Sequence, residues 1–158
     1  MISTEEQRRL NEELLRECMG YSDRDNKPDG AYIEADMLLF NINKIKRLIE
    51  MGADVNAKTK NDYTPLYYAV RNDNVVLVKL LIEMGADIGV GTSYGVILLH
   101  GAVRRNNPTE ENTEIVKLLI DLGLDVNAKD YSGKTSLDHA VLASNPYTVR
   151  LLLKEGAK

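Results

Sequence analysis

Four stretches of the chain share one apolar pattern and one stop. "INKIKRLIEMG" (42–52), "VVLVKLLIEMG" (75–85), "TEIVKLLIDLG" (113–123) and "YTVRLLLKEG" (147–156) space apolar residues at helical intervals and end on glycine. In the second, Leu77, Val78, Leu80, Leu81 and Ile82 form the stripe and Gly85 the stop, which predicts a short amphipathic helix. A shorter apolar segment precedes each of the last three stripes: "YTPLYYAV" (63–70), "VILLHGAV" (96–103) and "KTSLDHAV" (134–141). Thr64-Pro65 suits a helix start, with threonine as cap and proline at the first helical position. Thr135 can cap likewise, whereas Ile97 cannot, so the middle segment is expected to start its helix most weakly. One more helix is expected over residues 3–19. Ser3 followed by Glu6 reads as a capping box, and Leu10, Leu14 and Cys18 share a face that Leu15 and Met19 widen.

The segments recur on a fixed period. "MGADVNAK" (51–58) returns as "LGLDVNAK" (122–129), and "MGADIG" (84–89) lies between them. Gly52 to Gly85 is 33 residues, Gly85 to Gly123 is 38, and Gly123 to Gly156 is 33 again. The five extra residues fall in "NPTEENT" (107–113), which reads as a tolerated loop extension.

A 33-residue period carrying Thr-Pro-Leu-x-x-Ala and Gly-Ala-Asp-Val-Asn segments resembles the ankyrin repeat. The resemblance is strong over 36–158 and weak over 26–35. It implies an all-α solenoid of stacked helix-turn-helix units, joined by β-hairpin-like loops and preceded by an N-terminal capping helix. The units are expected at 1–25 (capping helix and connector), 26–58 (a degenerate first repeat), 59–91, 92–129 (with the insertion) and 130–158 (a C-terminal capping repeat). Small residues Ala69, Ala102 and Ala140 would let neighbouring helices approach closely, and stacking would bury stripes that no single unit can bury alone. Asp54-Val55-Asn56 and its copies would start the turn that reaches the next unit. Asp138, His139 and Glu155 replace apolar or amphipathic partners of earlier repeats, which suits a terminal repeat facing water.

Several chemical readings fail on spacing. In the turn-rich 20–36 segment, Asp25, Asp29, Gly30 and Asp36 fall at places 1, 5, 6 and 12 of a calcium loop. Lys27 and Pro28 occupy places 3 and 4, however, and the final place lacks glutamate, so the segment reads as a solvated connector. "SGKT" (132–135) ends like a phosphate-binding loop, but Ala128 stands where that loop needs its first glycine. His100 falls where the family usually has a structural histidine, and His139 one place further along its own repeat. With no cysteine or second histidine at ligand spacing, neither suggests a metal. Cys18, on an apolar helix face, reads as core. No catalytic residue, metal or cofactor is expected.

Composition adds modest limits. With 44% hydrophobic and 28% charged residues, the chain reads as soluble and globular. A net charge of −4 gives no global reason to expect nucleic acid or an anionic membrane as partner. The start "MISTEEQRRLNEELL" has no apolar signal region, no run reaches the roughly 18 apolar residues of a membrane span, and the single cysteine fits a reducing compartment. A cytoplasmic location is the expectation.

The resemblance implies a protein partner held at the hairpin tips and along the concave first-helix face. On that pattern the tip residues are Lys60, Asn61 and Tyr63, then Ser93, Tyr94 and Val96, then Tyr131, Ser132 and Lys134. The exposed places late in the first helices are Arg71 and Asn72, then Arg104 and Arg105, then Leu142 and Ala143. Every complete hairpin carries one tyrosine, a side chain of large contact area and low entropic cost. The charged members are all basic, while Glu83, Glu110, Glu111, Glu114 and Asp121 collect on second helices and the insertion. The expectation is a non-catalytic adaptor or inhibitor with an acidic protein partner. The alternative is a nucleic-acid binder using the same basic and tyrosine set.

Overall fold

The computed structural model describes residues 2–19, 34–89, 91, 98–103 and 113–158, with the backbone alone for 34–40. Those residues form eight helices: α1 (Thr4–Cys18), α2 (Glu34–Glu50), α3 (Pro65–Arg71), α4 (Val75–Glu83), α5 (Leu98–Val103), α6 (Glu114–Asp121), α7 (Ser136–Leu142) and α8 (Pro146–Lys154). No extended strand occurs among them; one antiparallel bridge joins Lys129 to Thr135. The fold is all-α, as the period implied. The calcium-like 25–36 stretch, the insertion and Ile97 lie wholly or largely outside the described residues.

Helices α3/α4, α5/α6 and α7/α8 pack as pairs, and α3, α5 and α7 stack in series. Helix α1 packs on α2 and α3. The first unit departs from the pattern, because a single helix, α2, crosses 34–50 where later units carry two. No Thr-Pro-Leu-x-x-Ala segment occurs there to start and stop a separate first helix. The buried face is the one the stripes drew: Leu66, Ala69, Val70, Val78, Leu81, Leu99, Ala102, Val103, Val116, Leu119 and Leu152 join one core. No helix among the described residues is long and apolar enough to cross a membrane.

The helix ends follow the sequence closely. Thr64 and Thr135 accept from the backbone N–H groups of Tyr67 and Asp138, Ser3 accepts from Glu6, and Asn74 and Asn145 cap α4 and α8. After α4, Gly85 takes φ +91°. Its N–H bonds Ile82 O at 3.0 Å, and Ala86 N–H bonds Leu81 O at 2.9 Å. This closure by a left-handed residue recurs at Gly52, Gly123 and Gly156.

The repeated "DVNAK" ties one repeat to the next. Asp54 Oδ1 accepts from Asn56 N–H at 2.9 Å, turning the chain. The Asn56 side chain then reaches the next repeat, donating to Gly85 O at 3.3 Å and accepting from Asp87 N–H at 2.8 Å. Asn127 does the same for Gly156 O and Lys158 N–H. On α1, two side chains divide the role that Asn56 fills alone. Gln7 donates to Gly52 O, and Asn11 Oδ1 accepts from Asp54 N–H. Thus α1 presents to the first repeat the polar edge that one repeat presents to the next. Asn56→Ala removes both inter-repeat bonds at a half-exposed site and is expected to cost about 1–2 kcal/mol. Urea unfolding with an unchanged m-value is the check.

Candidate partner-binding face

The two described hairpins are built on one plan. In the first, Thr59 N–H donates to Tyr63 O at 3.0 Å and Asp62 N–H to Thr59 O at 3.0 Å, with Asp62 at φ +60°. In the last, Asp130 N–H donates to Lys134 O and Gly133 N–H to Asp130 O, both at 2.9 Å, with Gly133 at φ +79°. The turn places a left-handed residue just before the final one, which favours aspartate or glycine there. The first residue of each hairpin also ties the last through its side chain: Thr59 Oγ1 accepts from Tyr63 N–H, and Asp130 Oδ1 from Lys134 N–H. Lys60 and Asn61 at one tip, and Tyr131, Ser132 and Lys134 at the other, are exposed.

The tyrosines are not equivalent. In repeat register Tyr131 aligns with Lys60, Tyr94 with Asn61, and Tyr63 with Lys134. Tyr131 stands 80% exposed at its tip. Tyr63 is half-buried, stacked on Tyr67 with ring centroids 4.5 Å apart, and edge-on to Tyr68 at 5.9 Å. Tyr67 in turn fits beside the next repeat because Gly101 has no side chain; a Cβ there would lie 3.2 Å from its ring. The Tyr63–Tyr67–Tyr68 cluster fixes the first hairpin against α3, a role that the one-tyrosine-per-hairpin pattern did not reveal. The spacing "YTPLYY" carried the signal, since residues at 63, 67 and 68 meet where a turn enters a helix. Burial raises the Tyr68 phenol above its ordinary value, against a hydrogen bond with Thr59 that lowers it.

The other described candidates divide similarly. Arg71 is exposed at the end of α3. Asn72 caps that helix and donates its side-chain amide to Cys18 O at 3.2 Å, joining α3 to the end of α1. The Ser132 hydroxyl donates to Asp130 Oδ1 at 2.7 Å. Ser93, Tyr94, Val96, Arg104 and Arg105 lie outside the described residues. Ion pairs occur on the outer helices, as in Lys44–Glu17 at 2.7 Å, Lys79–Glu114 at 2.9 Å and Lys117–Asp121 at 3.1 Å. Among the described residues, Lys60, Arg71 and Lys134 form none.

Beneath the last hairpin lies a residue that sequence reasoning missed. Asp130 Oδ1 accepts from Ser132 N–H, Ser132 Oγ and Lys134 N–H, while Oδ2 accepts from His139 Nε2 at 2.8 Å. Burial raises its carboxyl pKa, but the Ser132 hydroxyl, His139 and the Lys134 and Ser132 amides together outweigh burial and hold it well below the usual carboxylate range. The His139 ring meets the His100 ring edge-on at 5.3 Å. His100 is fully buried and donates from Nε2 to Lys134 O at 3.2 Å, so it too holds this hairpin, from the preceding repeat. The aspartate that opens "DYSGK" was the available signal, as the side chain that initiates such a turn. His139 thus turns inward to Asp130, whereas Asp138, which closes a capping box with Thr135, stays exposed.

Burial first, and then the neighbouring His139, lower the pKa of His100 from its ordinary 6.5. A lowered folded value means that the unfolded chain takes up the proton first. The stabilisation is therefore complete above pH 6.5 and is lost as pH falls toward the folded value. Asp130, also lowered, adds a second loss below its ordinary 3.8. Thermal melts between pH 8 and pH 3 should show a plateau above pH about 7 and then both declines, and His100→Gln should remove the first.

No described group of three or more His, Cys, Asp or Glu side chains could hold a metal. Burial, and then the charge of Glu17, push the Cys18 thiol up to about 12, which keeps it protonated and a poor nucleophile. A family model for ankyrin repeats (3 copies) matches residues 37–130 and 98–158. No curated protein matches the chain.

Proposed function

Since this chain belongs to the ankyrin-repeat family, whose domains are generally protein–protein interaction modules and typically non-catalytic, we propose that it is a non-enzymatic adaptor or inhibitor with an acidic protein partner. The partner lies across the hairpin tips and the first-helix face. Lys60, Asn61, Arg71, Tyr131 and Lys134 make the contacts, joined by Ser93, Tyr94, Val96, Arg104 and Arg105. Tyr63, Asn72 and Ser132 border that surface and hold its shape.

One observation carries the reading: Lys60, Arg71 and Lys134 stand exposed on the hairpins and the first-helix end, without ion-pair partners among the described residues, in a chain of net charge −4. Unpaired cations on a rigid face attract an opposite charge without first breaking internal pairs. Rigidity matters as much, because side chains held by stacked repeats lose little further entropy on binding.

The test is affinity capture from source-cell lysate after nuclease treatment, with wild type beside Arg104→Glu/Arg105→Glu. The expected result is an acidic protein retained by wild type and lost from the variant, with equal melting temperatures. Equal capture by both places the interface elsewhere. Loss of all specific capture after nuclease favours the nucleic-acid alternative, which would also show a steep fall in binding with salt.

A further inference from the structure

The chain has two histidines, and both stand under the last hairpin. His100, on α5 of the preceding repeat, is fully buried, and its ring bonds the Lys134 and Ala128 carbonyls. Both carbonyls belong to segment 128–134, which carries Tyr131, Ser132 and Lys134 to the surface. The groups around the ring offer a positive charge little support. His139 of α7 meets it edge-on, and Asp130 already accepts from four donors. Asp138, also on α7, is exposed and turned to Thr135. From α3 comes the Tyr67 ring beside Gly101, and the buried residues of α6 are Ile115, Val116 and Leu119. An imidazolium there would lose its hydration, so His100 takes up a proton where water reaches it. Water reaches it most readily when segment 128–134 lifts, since α5 can then stay packed on α3 and α6.

We infer that the bond from His100 to Lys134 O makes the last hairpin a proton-operated latch, closed at neutral pH and opened by mild acid, so that acid weakens partner binding. The inference rests on the partner face proposed above. Burial, and then His139, hold the closed form of His100 below its ordinary 6.5, so the open form binds the proton first. The closed-to-open ratio is therefore full above pH 6.5 and falls as pH drops below it. One proton limits that fall to about tenfold by pH about 5.5. Opening frees Tyr131 and Lys134 from their fixed places, and their ordering must then be supplied on binding. No histidine stands under the first hairpin, which the Tyr63–Tyr67–Tyr68 cluster packs against α3. Acid thus loosens one end of the partner face and leaves the other in place.

Amide protection factors at pH about 7.5 and about 5.5, corrected for intrinsic exchange, test the latch without a partner. The Gly133 and Lys134 amides, bonded to Asp130, should be less protected than amides in α4 and lose up to about tenfold on acidification. The Asp62 amide, bonded to Thr59 O in the first hairpin, should not change. His100→Gln keeps a donor for Lys134 O without the titration and should abolish the loss. Should that variant unfold, the wild-type contrast between Lys134 and Asp62 decides alone. Protection at 133–134 that ignores pH, that falls equally in His100→Gln, or that merely equals α4 at both pH values would overturn the inference. Binding to the captured partner at the same two pH values is the second arm, since the partner's own titration affects both proteins alike. Wild type should weaken more than His100→Gln. A latch that opens while both proteins bind with one pH dependence would remove the last hairpin from the partner face, and so overturn the reading beneath the inference.

Discussion

Asp130→Ala is expected to lower the unfolding free energy by about 2–4 kcal/mol and to release the last hairpin at the same time. The carboxylate is 9% exposed and accepts from two backbone N–H groups, one hydroxyl and one imidazole. Alanine leaves those donors without a charged acceptor, and His139 loses the group that fixes its ring against His100. The effect should exceed that of Asn56→Ala, whose lost bonds are neutral and more exposed. Calorimetric melting at pH 7 measures the loss. Hydrogen exchange separates it from general weakening, since the Lys134 amide should exchange far faster while amides in α4 follow global stability. Asp130→Asn should recover part of the loss, because an amide oxygen can still accept once at each turn N–H but brings no charge to His139.

Tyr131→Ala combined with Lys134→Glu is expected to weaken partner binding by about a hundredfold or more with melting nearly unchanged. Tyr131 is 80% exposed and Lys134 is exposed, so neither supports the fold through its side-chain packing. Truncating a central aromatic anchor commonly costs about 2 kcal/mol, and opposing an acidic surface with a glutamate adds to it. Tyr63→Ala should behave differently. Its ring stacks on Tyr67, so the variant should lose stability first and binding as a consequence. Titration calorimetry against the captured partner, beside thermal melts, distinguishes the two tyrosines.

The fold was legible because its determinants are local and repeat. A glycine after each stripe, a threonine before Pro65 or Ser136, and alanine at fixed places are each readable within about one helical turn or two. What escaped the sequence depended on partners far along the chain. Asn56 was legible as part of a turn, but its side chain works 29 and 31 residues later. His139 looked like polar drift toward water, and only the neighbouring hairpin and His100 reveal where it points. The single α2 helix arises from a missing start signal, which periodicity registers only as degeneracy. For the binding face, exposure at Lys60, Arg71, Tyr131 and Lys134 followed from the repeat register. The distinction between Tyr63 and Tyr131 lies in that same register, which sets Tyr63 beside Lys134 and Tyr131 beside Lys60.

Hydrogen exchange of the protein with and without its captured partner tests the central claim most directly. The account predicts slowed exchange in the hairpins at 59–63 and 130–134 and near Arg71, with α4 and α6 unchanged. Protection confined to α4 and α6, with both hairpins exchanging as in the free protein, would place the partner on the outer helices and contradict it.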